Sequence, residues 1–146
     1  MVQKEKGPLL QDLCARLPYG VICQGICGIW EIWDNDDEYY THESYKTIIV
    51  DGKLQGIQFD RASIDGNICN VETVKPYLRP MSSMTEEEKV EYCDLQDKFI
   101  LSSQYPVTDG HAFFDWLNKK MFDYRGLIPK RLALEAQEGM YNKKGE

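Results

Sequence analysis

The order of strand-type and helix-type patterns along the chain is the feature that most limits its fold. Residues 19–74 are rich in β-branched and aromatic side chains, which favour strands. From Thr85 onward, apolar residues recur at the spacing of one helix face. Because the strands come first and the main helices follow, the sequence predicts an α+β fold rather than a parallel α/β sheet.

About five short strands are expected in the β-rich region. They cover residues 21–23, 26–33, 45–50, 53–59 and 68–74. Asp51-Gly52 and Asp65-Gly66 have the composition of two-residue hairpin turns, and two prolines exclude a central strand over residues 75–81. Closely spaced strands with tight turns favour a small, strongly curved antiparallel sheet or a partly closed barrel. The curved sheet is the favoured form, and the partly closed barrel is the alternative.

Helical segments are expected on either side of this region. A short helix over residues 8–17 is expected to start at Pro8. Proline suits a first helical position, because the backbone N–H that it lacks has no partner within the helix there. Thr85 and Glu88 have the spacing of a capping box and start a second helix, which should end near residues 101–103. The C-terminal helices are expected to pack on one face of the sheet.

Residues 108–136 combine a helix, a sharp break and a second apolar run. Thr108 can cap the helix by accepting a backbone N–H of its first turn. Gly126 and Pro129 favour a tight connection after the helix. Residues 127–134 should then pack back on the core.

Length and charge narrow the function classes. The chain suits a single globular domain over residues 1–146, with loose tails expected at residues 1–7 and 138–146. A net charge of −7 argues against nucleic acid as a primary partner, because phosphate backbones are bound by clustered Lys and Arg. The charge suits solubility, a basic partner or mimicry of nucleic acid.

No segment has the apolar core of a signal peptide or the length of a membrane span. The sequence therefore predicts a cytoplasmic protein without a membrane partner, whose five cysteines stay reduced. Cys23 and Cys27 are the nearest approach to a metal or redox motif, but three residues separate them and no second pair follows at zinc-site spacing. We interpret both as small apolar strand residues and expect no metal and no cofactor.

Catalytic signatures are absent from the sequence, which has no Gly-x-Ser-x-Gly elbow, P-loop or His-Glu-x-x-His motif. His42 and His111 belong to no hydrolase pattern with a neighbouring Ser or Cys. The acidic segment after Trp33 starts like a calcium loop, but Tyr39 and Tyr45 occupy the positions that require Gly and Glu. A non-enzymatic protein is therefore expected, and a Cys/His enzyme assembled from distant residues is the least favoured alternative.

Aromatic and acidic residues cluster where the second predicted strand ends, a composition typical of protein interfaces. Stacking of a nucleotide base on these aromatics is the alternative. Trp30 is read as a core residue, since it shares the alternating apolar face of Ile26. Arg125 is interpreted as the anchor of a polar corner, with binding of an anionic ligand as its alternative. The candidate binding residues are Trp33, Asp36, Asp37, Tyr39, Tyr40, Tyr45 and Arg125.

Three segments together resemble a known family. They are DLCARLPYGV at residues 12–21, KPYLRPMSSMTEEE at residues 75–88, and DWLNKKMFDYRGLI at residues 115–128. Their order is similar to that in a family of short proteins common in gut bacteria and their phages, and the resemblance spans most of the chain. No activity is established for that family, so no functional residue can be carried over. The resemblance implies a phage or mobile-element setting and an accessory or counter-defence role.

From these observations we predict an intracellular, non-enzymatic binding protein of phage or prophage type. It is expected to act through protein–protein contacts, and a homo-oligomer is compatible with the sequence. The alternative is a binder that sequesters a nucleotide-type signal, with Arg61, Arg79 or Arg125 meeting its phosphates.

Overall fold

A computed structural model describes residues 3–34, 41–104 and 110–141, and the side chains within residues 6–28, 45–100 and 111–141. Helices pack on a mostly antiparallel sheet, which confirms the predicted α+β class. The helices are α1 (Gln3–Arg16), α2 (Glu86–Gln104) and α3 (Gly110–Lys119). The strands are β1 (Ile22–Asp34), β2 (Thr41–Gln58), β3 (Arg61–Ile64), β4 (Asn67–Asn70), β5 (Lys75–Leu78) and β6 (Leu134–Glu135). Short 3₁₀ turns cover Leu17–Tyr19, Val71–Thr73 and Met81–Ser83.

Four strands of the sheet form a partly closed ring. β1 and β2 pair over thirteen consecutive residue pairs, the last of which is Asp34 opposite Thr41. Tight hairpins join β2 to β3 and β3 to β4, and the pairing of Cys27 with Cys69 brings β4 back to β1. β5 and β6 extend the sheet from β1 beyond the ring. The predicted curvature is therefore confirmed, and the sheet closes in part, as in the barrel alternative.

The hairpin turn predicted at Asp51-Gly52 is wrong. Both residues lie inside β2, where Asp51 is opposite Gln24 and Gly52 is opposite Cys23. β1 runs alongside without interruption and pairs with both residues, so their turn-type composition is overridden. Gly52 instead allows a close approach, because a Cβ at this position would overlap the carboxylate of Asp65.

The turn predicted at Asp65-Gly66 is confirmed and joins β3 to β4. Its two residues have φ values of 46° and 83°, the left-handed pair that suits a two-residue hairpin. Phe59 and Asp60 form the other tight hairpin, between β2 and β3. Phe59 has a φ of 57° although it is not a typical turn residue. The register of the flanking strands therefore sets this turn.

The segment after β4 differs from the prediction. The strand expected over residues 68–74 stops at Asn70, whose side chain accepts a hydrogen bond from Glu72 N and caps a 3₁₀ turn. Pro76 lies within β5, between β1 and β6, so the exclusion of a central strand over residues 75–81 is wrong. Only two residue pairs join β5 to β1, and the missing donor of Pro76 therefore removes little of the ladder.

The first helix is longer than predicted. α1 begins at Gln3 rather than at Pro8, so most of the expected tail at residues 1–7 is helical. Pro8 removes one helix hydrogen bond, but Leu9 and Leu13 are buried and hold the helix against the sheet. Tertiary burial therefore outweighs the local cost of the proline.

The main core lies inside the ring, where α1 packs against it. Its buried side chains are Leu9, Leu13, Val21, Cys23, Cys27, Leu54, Ala62, Ile64, Cys69, Val71, Val74 and Met121. A second, aromatic cluster lies between α2 and α3 around the buried Phe113, Leu117 and Phe122. None of the described helices is long and apolar enough to cross a membrane.

The predicted capping box at the start of α2 is confirmed. Thr85 N donates to Glu88 Oε1 at 3.0 Å, and Glu88 N donates to Thr85 Oγ1 at 3.2 Å. These two bonds satisfy donors that the first helical turn leaves without partners. Thr108, predicted to cap α3, lies outside the described residues.

The predicted return of residues 127–134 to the core is also confirmed. Leu127, Leu132 and Ala133 are buried against Leu78, and β6 then pairs in parallel with β5. Within the expected tail at residues 138–146, the Tyr141 hydroxyl accepts a hydrogen bond from Ile22 N and donates one to Tyr77 O. The described part of this segment is therefore attached to the sheet.

Candidate interaction surface

The outside of the β1–β2 pair carries exposed apolar side chains. Side chains alternate across a strand, so Cys23 and Cys27 are buried inside the ring while Ile26 faces outward. Ile26 lies directly opposite Ile49 of β2, and the two side chains are 43% and 67% exposed. An apolar cross-strand pair therefore remains in water on the outer face.

Tyr45 and Ile68 extend this outer face along the ribbon. The Tyr45 ring occupies the space above Gly28, since a Cβ on Gly28 would overlap it. Ile68 is exposed beside the buried Cys69 on β4, and the pairing of Cys27 with Cys69 places it next to Gly28. Together, Ile26, Tyr45, Ile49 and Ile68 are named here the outer apolar patch.

A polar network supports one end of the patch. The Tyr77 hydroxyl donates to Asp51 Oδ1 at 2.6 Å and accepts from Gln24 Nε2 at 3.3 Å. Gln24 and Asp51 lie opposite each other, two residues along the strands from Ile26 and Ile49, and therefore on the same outer face. Burial, and then the hydrogen bond to Asp51, raise the pKa of Tyr77. The hydroxyl therefore stays protonated, and its hydrogen bonds link β5 to this end of the outer face.

The structure brings one predicted binding residue, Tyr45, into this patch. Trp33 lies in β1 opposite His42, at a position whose side chain is not among those described. The four predictions at Asp36, Asp37, Tyr39 and Tyr40 fall outside the described residues.

Sequence reasoning missed the three isoleucines of the patch. It assigned the face of Ile26 to the core, whereas the buried side chains of this strand are Cys23 and Cys27 on the opposite face. Isoleucine favours a strand on either face, so its identity does not reveal which side is in water. The available signal was the Cys-x-Gly-x-Cys alternation, because cysteine and glycine are often buried.

Arg125 lies in the polar corner that the sequence predicts. Its Nη1 donates to Asp12 Oδ1 at 2.8 Å, and its guanidinium packs 4.6 Å from the centre of the Tyr124 ring. Asp12 is fully buried and also accepts from Arg16 Nε at 2.9 Å. Arg125 is therefore anchored to a carboxylate that joins α1 to the chain after α3.

Arg79 is also bound to a carboxylate. Its two terminal nitrogens donate to the two Glu88 oxygens at 2.8 and 2.7 Å, and its guanidinium lies 4.2 Å from the centre of the Phe122 ring. These hydrogen bonds from Arg79 lower the pKa of Glu88 to about 2. Arg61, the third arginine considered for an anionic ligand, lies exposed 3.7 Å from Asp60.

The cysteines inside the ring behave as apolar core residues. Burial raises the pKa of Cys23 to about 12 and also raises that of Cys69. A thiol that stays protonated is a poor nucleophile and a poor metal ligand. Within the described ranges, no group of three or more His, Cys, Asp or Glu side chains is arranged to hold a metal ion. His111 is exposed at the start of α3.

A cleft of about 820 Å³ lies between α2, the end of α3 and residues 135–141. Its walls carry the Arg79–Glu88 ion pair, and they also carry two lysines and four other glutamates. Charges of both signs line this cleft, unlike the apolar pockets with few polar groups that hold small ligands. The outer apolar patch is therefore the stronger candidate surface.

Comparison with known proteins finds no matching family model, curated protein or solved structure.

Proposed function

We propose that this chain is a non-enzymatic binding protein that acts through contacts with another protein, and that the outer apolar patch makes these contacts. One observation carries the proposal: exposed apolar side chains gather on one face of a curved sheet. Nine large apolar side chains are exposed in the described part of the chain, and four of them form the patch. Contiguous apolar surface of this kind is typical of interaction sites, whereas scattered single residues are not.

Charge supports a basic partner. Residues 29–46 contain six acidic residues and one lysine, so most of the net charge of −7 lies in this segment. The described residues of this segment belong to β1 and β2, which pair as far as Asp34 opposite Thr41. A partner that covers the patch and extends along the ribbon meets this negative charge, which steers association with a basic surface.

The proposed setting is intracellular and of phage or prophage type, with an accessory or counter-defence role. The resemblance of residues 12–21, 75–88 and 115–128 to proteins of gut bacteria and their phages supports this setting. An apolar patch can act without catalysis by occupying a surface of another protein.

Affinity capture from lysate of the natural host tests the proposal. The full chain should retain a specific basic protein, and capture should weaken at about 0.5 M salt because part of the attraction is electrostatic. Ile26→Lys places a positive charge in the patch and should reduce capture about tenfold. Val90→Lys is the matched control, since Val90 is 71% exposed on α2, away from the patch. Equal capture by the two variants, or no specific partner, would overturn the proposal.

The alternative of a nucleotide-type ligand draws less support from the structure. Arg79 and Arg125 are already bound to Glu88 and Asp12, so phosphate binding would have to break these pairs. A thermal-shift screen across nucleotides tests it, because a ligand that binds only the folded state raises the midpoint of unfolding.

A further inference from the structure

We propose that a second copy of this chain pairs with the free edge of β2 and forms a two-fold symmetric dimer. β2 pairs with β1 on one side from Thr41 to Lys53, whereas β3 covers the other side only from Leu54 onward. Thr47 to Asp51 therefore has no strand on that side in the described structure. This inference concerns the edge of the strand and does not rest on the proposed function of the outer face.

The hydrogen bonds around Lys53 show which backbone groups face this edge. Leu54 N donates to Val21 O, on the side of β1. Lys53 N donates to Asp65 Oδ1 and Lys53 O accepts from Asp65 N, on the opposite side. Because the direction alternates along a strand, Thr47, Ile49 and Asp51 point their N–H and C=O groups at the free edge. The Asp65 carboxylate ends this edge at Lys53.

Between Lys46 and Asp51, the free edge lacks the charges, prolines and bulges that keep edge strands from pairing. Residues 47–50 read Thr-Ile-Ile-Val, with strong β propensity, no charge and no proline. The register with β1 runs through this segment without a bulge. An exposed edge of this composition pairs with another strand or aggregates. Pairing with a second copy of this chain gives the backbone groups of the edge their hydrogen-bond partners.

A two-fold axis at Ile49 makes the edge complementary to itself. In this antiparallel register Ile49 lies opposite Ile49 of the second copy, and Thr47 lies opposite Asp51. The three edge-facing residues of each copy then exchange backbone hydrogen bonds. On the inner face, the half-buried Ile48 of one copy lies opposite Val50 of the second copy. No like charges are directly opposed among these residues, and the Thr47 hydroxyl of one copy meets the Asp51 carboxylate of the other.

The net negative charge does not prevent this dimer. Ser44, which lies opposite Glu31 where the acidic residues begin, is five residues from Ile49, or about 17 Å along the strand. Antiparallel pairing sends the two acidic ends in opposite directions, so that they begin about 34 Å apart. This separation far exceeds the Debye length of about 8 Å at physiological salt. The acidic segments of the two copies are therefore screened from each other.

Site-specific disulfides test the register. The background carries Cys14→Ser and Cys93→Ser, which remove the exposed thiols. In this background Ile49→Cys should cross-link two copies under oxidised glutathione, because the paired Cα atoms lie within disulfide reach. Thr47→Cys is the matched control: its two copies would be about 14 Å apart and should not cross-link. Mixing Thr47→Cys with Asp51→Cys should restore cross-linking. Equal rates for the single variants at 47 and 49 would overturn the inference.

Sedimentation provides an independent measurement. The unmodified chain should form a species of twice its 17.0 kDa mass. Ile49→Lys opposes two positive charges across the axis and should weaken the dimer about tenfold or more. Ile49→Val should leave it intact. A monomer at all concentrations in the unmodified chain would also overturn the inference, and circular dichroism of each variant verifies folding.

Discussion

Replacement of Asp12 by Asn tests whether the buried ion network joins α1 to the chain around Arg125. The side chains of Asp12 and Arg16 have no exposed surface, and that of Arg125 is 24% exposed. Arg16 Nη2 also donates to Phe122 O at 2.6 Å, while its buried Nη1 has no hydrogen-bond partner in the described structure. One carboxylate therefore balances two guanidinium groups, and its neutralisation leaves both without a counter-charge.

The expected loss of stability is large. Removal of one partner from a buried ion pair costs about 3–5 kcal/mol, because the remaining charge stays in the protein interior. Domains of this size are stable by only about 5–15 kcal/mol. Each kcal/mol lowers the midpoint of thermal unfolding by roughly 2–4 °C. Asp12→Asn should therefore lower this midpoint by about 6–20 °C.

Urea unfolding followed by circular dichroism measures the effect, with an unchanged slope as the sign that both states remain comparable. Asp60→Asn is the matched control, because Asp60 is 60% exposed and its oxygen lies 3.7 Å from Arg61. Exposed pairs of this kind contribute about 0–1 kcal/mol. A loss below about 1 kcal/mol for Asp12→Asn, or an equal loss for Asp60→Asn, would show that this buried carboxylate does not stabilise the fold.

Three further predictions concern the ring, the capping box and the thiols. A Cβ on Gly25 would lie 2.8 and 2.9 Å from its nearest core atoms. Gly25→Ala should therefore lower the free energy of unfolding in urea by about 1–3 kcal/mol. Gly56→Ala is the control and should change this free energy by less than about 0.5 kcal/mol, because the space around Gly56 is open. The lowered pKa of Glu88 means that its charge stabilises the fold at neutral pH, and that this contribution is lost as the pH falls from 4.5 towards about 2. Glu88→Gln should accordingly be less stable than the unmodified chain at pH 7, and this difference should shrink as the pH falls through about 2; a difference independent of pH would contradict this. Only Cys14 and Cys93 are exposed, so a thiol reagent should label two of the five cysteines rapidly, and rapid labelling of all five would contradict the buried ring.

Local chemistry determined several elements from the sequence alone. The Thr85–Glu88 box acts within one helical turn, and Asp65-Gly66 acts within one hairpin, so neither depends on distant residues. The order of strand and helix patterns likewise determined the α+β class, because each pattern arises from its own segment. The sequence also indicated correctly that Arg125 anchors a polar corner, although not that Asp12 is its partner.

Tertiary structure decided the features that depend on pairing between distant segments. Asp51-Gly52 has turn composition, but β1 pairs with it and keeps it extended. Pro8 and Pro76 were expected to limit a helix and a strand, but burial of Leu9 and Leu13 and pairing with β1 override them.

The choice between the two faces of β1 has the same origin. Alternation specifies that Cys23 and Cys27 share one face and Ile26 the other, but both patterns are apolar. The pairing of Cys27 with Cys69 closes the ring around the cysteine face and leaves Ile26 and Ile49 outside. Patterns within each segment therefore specify the elements and their alternation. Ring closure specifies which of the alternating side chains form the surface, because that contact joins residues more than forty positions apart.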